Sequence, residues 1–168
     1  MDSHNKLLPV LFGTFTMTFI YIFPLLNLIN IFCCAGIIAG GFAGVFIYNK
    51  ETLKSGLKLT AKDGGMIGIL SGFLSAIIVT GFGLLMSLYS STNPMLDFLK
   101  SIDDAGISIP EEMTVYLEKI SNEFSEKGFS PTITLVSFIS NIILFPLFGS
   151  FGALLGVSYF NKKNKLQS

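Results

Sequence analysis

The sequence predicts an all-α protein, an integral membrane four-helix bundle with an extracytoplasmic amphipathic helical pair between spans 3 and 4. Three observations predict it. The 168-residue chain is 51% hydrophobic and 13% charged, about half the charged fraction of an ordinary soluble domain, and its mean hydropathy is +0.66. The charges are segregated: Leu7–Asn49, Gly64–Leu96 and Gly128–Asn161 are runs of 43, 33 and 34 residues with no Asp, Glu, Lys, Arg or His. A helix crossing the hydrocarbon core needs about 20 mostly apolar residues, so the first run holds two crossings and the others one each. Eight of the eleven lysines then fall on one side of a four-span arrangement, as argued below.

The expected spans are 7–23, 28–48, 64–89 and 132–160, in a single membrane domain covering 1–168. Pro24, Asn27 and Asn30 mark the turn inside the first run, where they are the one cluster of breaker and amide residues. A single helix over that run would span about 65 Å, roughly twice the core thickness. No A-x-A-like cleavage site follows the first apolar stretch, and Ile31 and Phe32 stand where a lipoprotein signal would place small residues before Cys33. The first segment is therefore read as an uncleaved span. Thr60 with Asp63 reads as the N-terminal cap of the third, its carboxylate at the positive end of the helix dipole.

With four spans, Lys6, Lys50, Lys54, Lys58, Lys62, Lys162, Lys163 and Lys165 share one side. The other holds Lys100, Lys119 and Lys127 against Asp97, Asp103, Asp104, Glu111, Glu112, Glu118, Glu123 and Glu126. The positive-inside rule then places both termini in the cytoplasm. Tyr21, Tyr48, Tyr89 and Tyr159 fall near span ends, where an amphipathic ring prefers the headgroup boundary.

Residues 90–131 form the extracytoplasmic insert. Asn93 and Pro94 start one helix, with Met95, Leu96, Leu99 and Ile102 at helical spacing, and Asp103, Asp104 and Gly106 end it. A second begins near Ser108, with Pro110 and Glu111 in its first turn. Its apolar stripe is Met113, Tyr116, Leu117, Ile120 and Phe124, and Gly128 supplies a left-handed C-terminal cap. The stripe is covered by the neighbouring helix, by the membrane surface, or by a partner protein; it is the candidate partner face. Placing an EF-hand loop here puts Ser101 and Ala105 at ligand positions and Pro110 inside the loop, which excludes it.

Within the bilayer the notable pattern is glycine at four-residue spacing: Gly36, Gly40 and Gly44; Gly64, Gly68 and Gly72; Gly152 and Gly156. Such ridges let helix backbones approach closely. They are the candidate helix-packing residues, for a tight intramolecular bundle ahead of a homo-oligomer. Gly40, Gly44, Val45, Tyr48, Asn49 and Lys50 are echoed in register by Gly152, Gly156, Val157, Phe160, Asn161 and Lys162. Similar membrane-exit requirements account for that echo ahead of a duplicated hairpin.

Chemistry is marked by absences. No span carries an ionisable residue, which argues against an ion-coupled pump. His4 is the single histidine, and Cys33 and Cys34 form the only cysteine pair, so no catalytic, cofactor-binding or metal residues are assigned. The neutral balance without Arg speaks against nucleic acid. Thr14, Thr16 and Thr18, with Ser71, Ser75 and Thr80, are expected to bond carbonyls of their own helices. The competing reading lines a pore with them. Asn141 is expected to meet a partner, and Pro146 to kink the last span.

The paired-glycine second span from Cys33-Cys34 through Gly40-Gly41-Phe42-Ala43, the Lys62-Asp63-Gly64-Gly65-x-x-Gly68 opening of the third and the acidic insert resemble small bacterial four-span membrane proteins of domain-of-unknown-function families. That resemblance implies a shared topology in the bacterial cytoplasmic (inner) membrane, and brings no catalytic residues. The expected function is a non-enzymatic scaffold or accessory subunit, whose partners are membrane lipid and either another protein or further copies of itself. The alternative is a small oligomeric channel or facilitator.

Overall fold

The computed structural model describes residues 5–23, 26, 34–55, 59–90, 94–104, 106 and 110–165. The protein is all-helical: α1 is Leu7–Ile22, α2 Ala35–Lys54, α3 Ala61–Tyr89, α4 Pro94–Asp104, α5 Glu111–Lys127 and α6 Pro131–Lys165. Among the described residues, α3 and α6 are each long and apolar enough to cross a membrane, and α1 is a shorter apolar helix. The expected turn at Pro24, Asn27 and Asn30, and Cys33 beside it, lie outside the described residues.

Helix ends follow local chemistry. Thr60 Oγ1 accepts the Asp63 amide at 3.1 Å and donates to the Asp63 carboxylate at 2.6 Å, forming the expected cap of α3. Cys34 precedes α2 in a left-handed conformation (φ 59°), and its carbonyl accepts the Ile37 and Ile38 amides. Gly128 ends α5 at φ 75°, its amide donating to Phe124 O at 2.9 Å, and Gly106 follows α4 at φ 64°. Both glycines hold the backbone where a Cβ is disfavoured.

Two helices outrun their expected spans. α2 continues six residues past Tyr48 to Lys54, and α6 five past Phe160 to Lys165. The extensions are amphiphilic: Asn49 and Thr52 are buried while Lys50, Leu53 and Lys54 are exposed.

The chain divides into two compact units, residues 1–79 with 140–168 and residues 80–139. In unit 1, one apolar cluster joins Val10, Val45, Tyr48, Ile67, Val157 and Phe160. A second joins Met17, Ile37, Ala76, Val79 and Phe145, with Cys34 packed against it. The echoed residues Val45 and Val157, and Tyr48 and Phe160, all enter the first cluster, so the sequence echo reflects equivalent inward positions on α2 and α6. In unit 2, α4 packs on α5.

Candidate packing seams and surface faces

The glycine positions mark where helices of unit 1 meet backbone to backbone. A Cβ built on Gly40 would collide with Met17 Cγ and lie 3.2 Å from Gly13 O; one on Gly44 would lie 3.0 Å from Pro9 O. Both face α1. On α3, a Cβ at Gly68 would meet Gly149 O and lie 2.6 Å from Ser150 Cα, and one at Gly72 would lie 2.5 Å from the carbonyl of Phe145. Gly64 abuts Val157, Gly152 abuts the Ile38 backbone, and a Cβ on Gly156 would lie 3.3 Å from Val45. Gly36 is buried on α2. The ridges are thus used inside one chain, where close approach yields dispersion contact between backbones.

Three further glycines complete these seams and escaped the four-residue pattern. Gly13 on α1 would place a Cβ 2.6 Å from Ser71 Oγ, Gly41 would drive one into Gly149 O, and Gly149 would place one 2.8 Å from Gly68 O. The signal for Gly41 was present: two adjacent glycines thin a helix on two sides at one level. Gly40 accordingly faces α1 and Gly41 faces α6.

The hydroxyls correct an expectation. Thr14 Oγ1 donates to Ser71 O (3.3 Å), Ser71 Oγ to Val10 O (3.0 Å) and Ser75 Oγ to Thr14 O (3.2 Å), a ladder between α1 and α3. Thr16 behaves as expected, donating to Phe12 O of its own helix. The cause is the missing side chain at Gly13, which brings the carbonyls of α1 within reach of α3. Thr18 Oγ1 is buried without a hydrogen-bond partner, and Asn141 is buried.

A polar layer closes one end of unit 1. Lys6 Nζ pairs with Asp63 at 2.6 Å, both side chains about a quarter exposed. Asn164 Nδ2 donates to Asn49 Oδ1 and Asn161 Nδ2 to Leu59 O, each at 3.1 Å. These bonds bring together the start of α1, the end of α2, the start of α3 and the end of α6. Among the described residues, no group of His, Cys, Asp and Glu is arranged to hold a metal ion.

In unit 2, the α5 stripe is divided. Met113 and Tyr116 are exposed, at 55% and 69%, as is Val115, whereas Leu117, Ile120 and Phe124 are half-buried. The stripe is therefore divided: its later residues are partly covered, and its first turns present apolar side chains outward.

Glu123 ties the end of α5 to the start of α6. Its carboxylate accepts from Ser130 Oγ (2.5 Å), Thr132 Oγ1 (2.7 Å) and the Thr132 amide (3.1 Å), while Ser130 Oγ accepts the Ile133 amide. Those donors hold its pKa at about 2, against an ordinary value of 4.5, with Ser130 and then Thr132 contributing most. Because the folded value is depressed, this stabilisation is present above the ordinary carboxylate range and is lost as pH falls through about 2. Amide exchange of residues 132–134, measured relative to the intrinsic rate at each pH, is therefore expected to accelerate between pH 4.5 and 2 in the wild type. In Glu123→Ala it should already be fast at neutral pH and show no such step; an unchanged step would refute the latch.

No family model, no curated protein and no solved structure matches this chain. What the fold defines is a class, an all-helical protein with, among the described residues, two helices long and apolar enough to cross a membrane.

Proposed function

We propose that the protein is a four-span integral membrane protein of the bacterial cytoplasmic membrane, with both termini cytoplasmic. In this reading it acts as a non-enzymatic scaffold or accessory subunit. The observation that supports this best is the inverted distribution of apolar side chains in unit 1. Phe73, Leu74, Ile77 and Ile78 on α3, Leu144, Leu147, Phe151 and Leu155 on α6, and Leu11, Phe12, Phe15 and Phe19 on α1 are all exposed, while glycines and hydroxyls line the contacts between helices. Water would penalise so large an apolar surface; lipid would not.

The α1–α3 hydroxyl ladder favours the scaffold over a channel. Ser71 and Ser75 are fully buried and Thr14 nearly so, and each is engaged with a neighbouring carbonyl, so these groups hold helices together instead of facing a lumen. The outward turns of α5 then supply the partner face, with Met113 and Tyr116 as its centre.

Orientation is tested by single cysteines in a Cys33→Ser/Cys34→Ser background. Lys119→Cys is expected to react with a membrane-impermeant maleimide in intact cells, and Lys163→Cys only after permeabilisation. Equal reactivity of both would overturn the topology. For the scaffold role, native mass spectrometry after mild cross-linking should show a stoichiometric second protein attached through residues 95–127, lost in Met113→Ser/Tyr116→Ser. A bare symmetric homo-oligomer would instead favour the channel.

A further inference from the structure

We propose that the polar end of unit 1 binds anionic phospholipids around its rim, with Lys50, Lys62 and Lys163 each engaging a headgroup phosphate and Phe46, Met66 and Tyr159, four residues from them, receiving the acyl chains. The inference rests on the membrane reading above and names a ligand for it.

Charge is the first argument. Among the described residues, this end carries the side chains of Lys6, Lys50, Lys54, Lys62, Lys162 and Lys163 against Glu51 and Asp63. Asp63 is already neutralised by Lys6 at 2.6 Å. Lys50, Lys54, Lys62, Lys162 and Lys163 are all exposed. Hydrogen bonds between Asn49 and Asn164 and between Asn161 and Leu59 hold the α2 and α6 ends beside the start of α3, so these ammonium groups share one end of the unit. A cluster of this kind attracts anionic headgroups and is screened by salt.

The second argument separates a lipid from a soluble anion. On three different helices, a lysine stands four residues from an exposed apolar side chain: Lys50 and Phe46, Lys62 and Met66, Lys163 and Tyr159. That spacing places both on one helix face. In each case the apolar residue lies on the bundle side of the lysine. Lys50 Nζ sits 4.2 Å from the centre of the Phe46 ring, which fixes an ammonium at the apolar edge, and Lys6 Nζ lies 3.9 Å from Met66 Sδ. A free polyanion would use the lysines and leave the apolar row in water. A phospholipid uses both, because its phosphate and its acyl chains are offset in the same sense.

The test uses the full chain reconstituted in vesicles of phosphatidylcholine mixed with phosphatidylglycerol, with co-purifying lipid identified by native mass spectrometry. Phosphatidylglycerol is expected to be retained at least about tenfold above its share of the mixture. Lys50→Gln/Lys62→Gln/Lys163→Gln should abolish that enrichment; the triple arginine variant should keep it, and Lys100→Gln/Lys119→Gln should leave it unchanged. Retention without headgroup preference, or a preference that survives the triple glutamine change, overturns the proposal. So does complete displacement by millimolar inorganic phosphate, which would mark a site for the free anion. Resistance to carbonate extraction is scored in parallel. Inserted protein without lipid preference refutes this inference alone, whereas protein that fails to insert refutes the membrane reading with it.

Discussion

Alanine at Gly68 or Gly72 is expected to destabilise the protein by about 1–3 kcal/mol, while alanine at Gly65, Gly81 or Gly83 of the same helix is tolerated. The contrast comes from what each methyl would meet. At Gly68 and Gly72 the neighbours are backbone atoms of Gly149, Ser150, Phe145 and Pro146, which cannot swing aside as a side chain end can. The helices must separate, and every dispersion contact along the seam weakens with distance. At Gly65 the nearest atom is Leu154 Cδ2 at 4.0 Å, an ordinary contact, and at Gly81 and Gly83 nothing lies within 4 Å. There the better helix propensity of alanine works alone, worth up to about 1 kcal/mol in favour. Gly41→Ala and Gly152→Ala belong with the damaging pair, since their methyls would strike the Gly149 and Ile38 backbones. Gly40→Leu and Gly68→Leu should prevent assembly altogether. Unfolding titrations in mixed detergent measure the series. If Gly68→Ala and Gly81→Ala shift the midpoint equally, the seams are not what holds the bundle.

How far these seams could be read in the sequence depends on the kind of contact. Charge-free runs and local punctuation located the helices well: α1, α3, α4 and α6 begin within three residues of their expected starts, because caps, prolines and glycines act over one turn. The glycine rows on α2, α3 and α6 were visible because a repeat of four marks one helix face. Gly13 and Gly149 were not, since each meets a partner far along the chain and neither needs a second glycine on its own face. The α2 and α6 extensions were hidden for a related reason. The expected span stops at Tyr48, before the polar Asn49, yet Asn49 is buried and bonded to Asn164, 115 residues away in sequence, and hydropathy cannot see a satisfied polar group.

The hydroxyls show the same limit from the other side. Local chemistry says that a serine in a membrane helix bonds its own carbonyl at the preceding turn. Ser71 and Ser75 bond Val10 and Thr14 instead, because a close helix offers the second lone pair of a carbonyl already engaged in its own ladder. Choosing between them requires knowing that α1 and α3 touch. The division of the α5 stripe is also tertiary: Met113 and Phe124 carry the same periodic signal, and only the packing of unit 2 distinguishes the exposed one from the half-buried one.

Phe145→Ala is the second change expected to be severe. Among the described residues Phe145 is the largest fully buried side chain, 1% exposed, with its ring 5.4 Å from that of Tyr21 and in one cluster with Met17, Ile37, Ala76 and Val79. Removing a buried phenylalanine from a water-soluble core costs about 3–5 kcal/mol, part from transfer and part from the cavity. The cavity part is retained in full here. The backbone at Phe145 is already in closest contact with α3 at Gly72, so the helices cannot draw in to fill the space. On the membrane reading proposed above the transfer part is small, since lipid tails are as apolar as the core. The expected loss is therefore about 2–3 kcal/mol, and Phe145→Leu should recover at least half of it. Leu144→Ala and Leu147→Ala, whose side chains are exposed at 41% and 55%, should cost less than about 0.5 kcal/mol each. A dry apolar cavity of this kind also takes up a small aromatic molecule, so benzene should partly restore Phe145→Ala and leave the wild type unmoved. Equal losses at residues 144, 145 and 147 would mean that this face of α6 is not the inner one, and the assignment of lipid-facing and bundle-facing sides would have to be reversed.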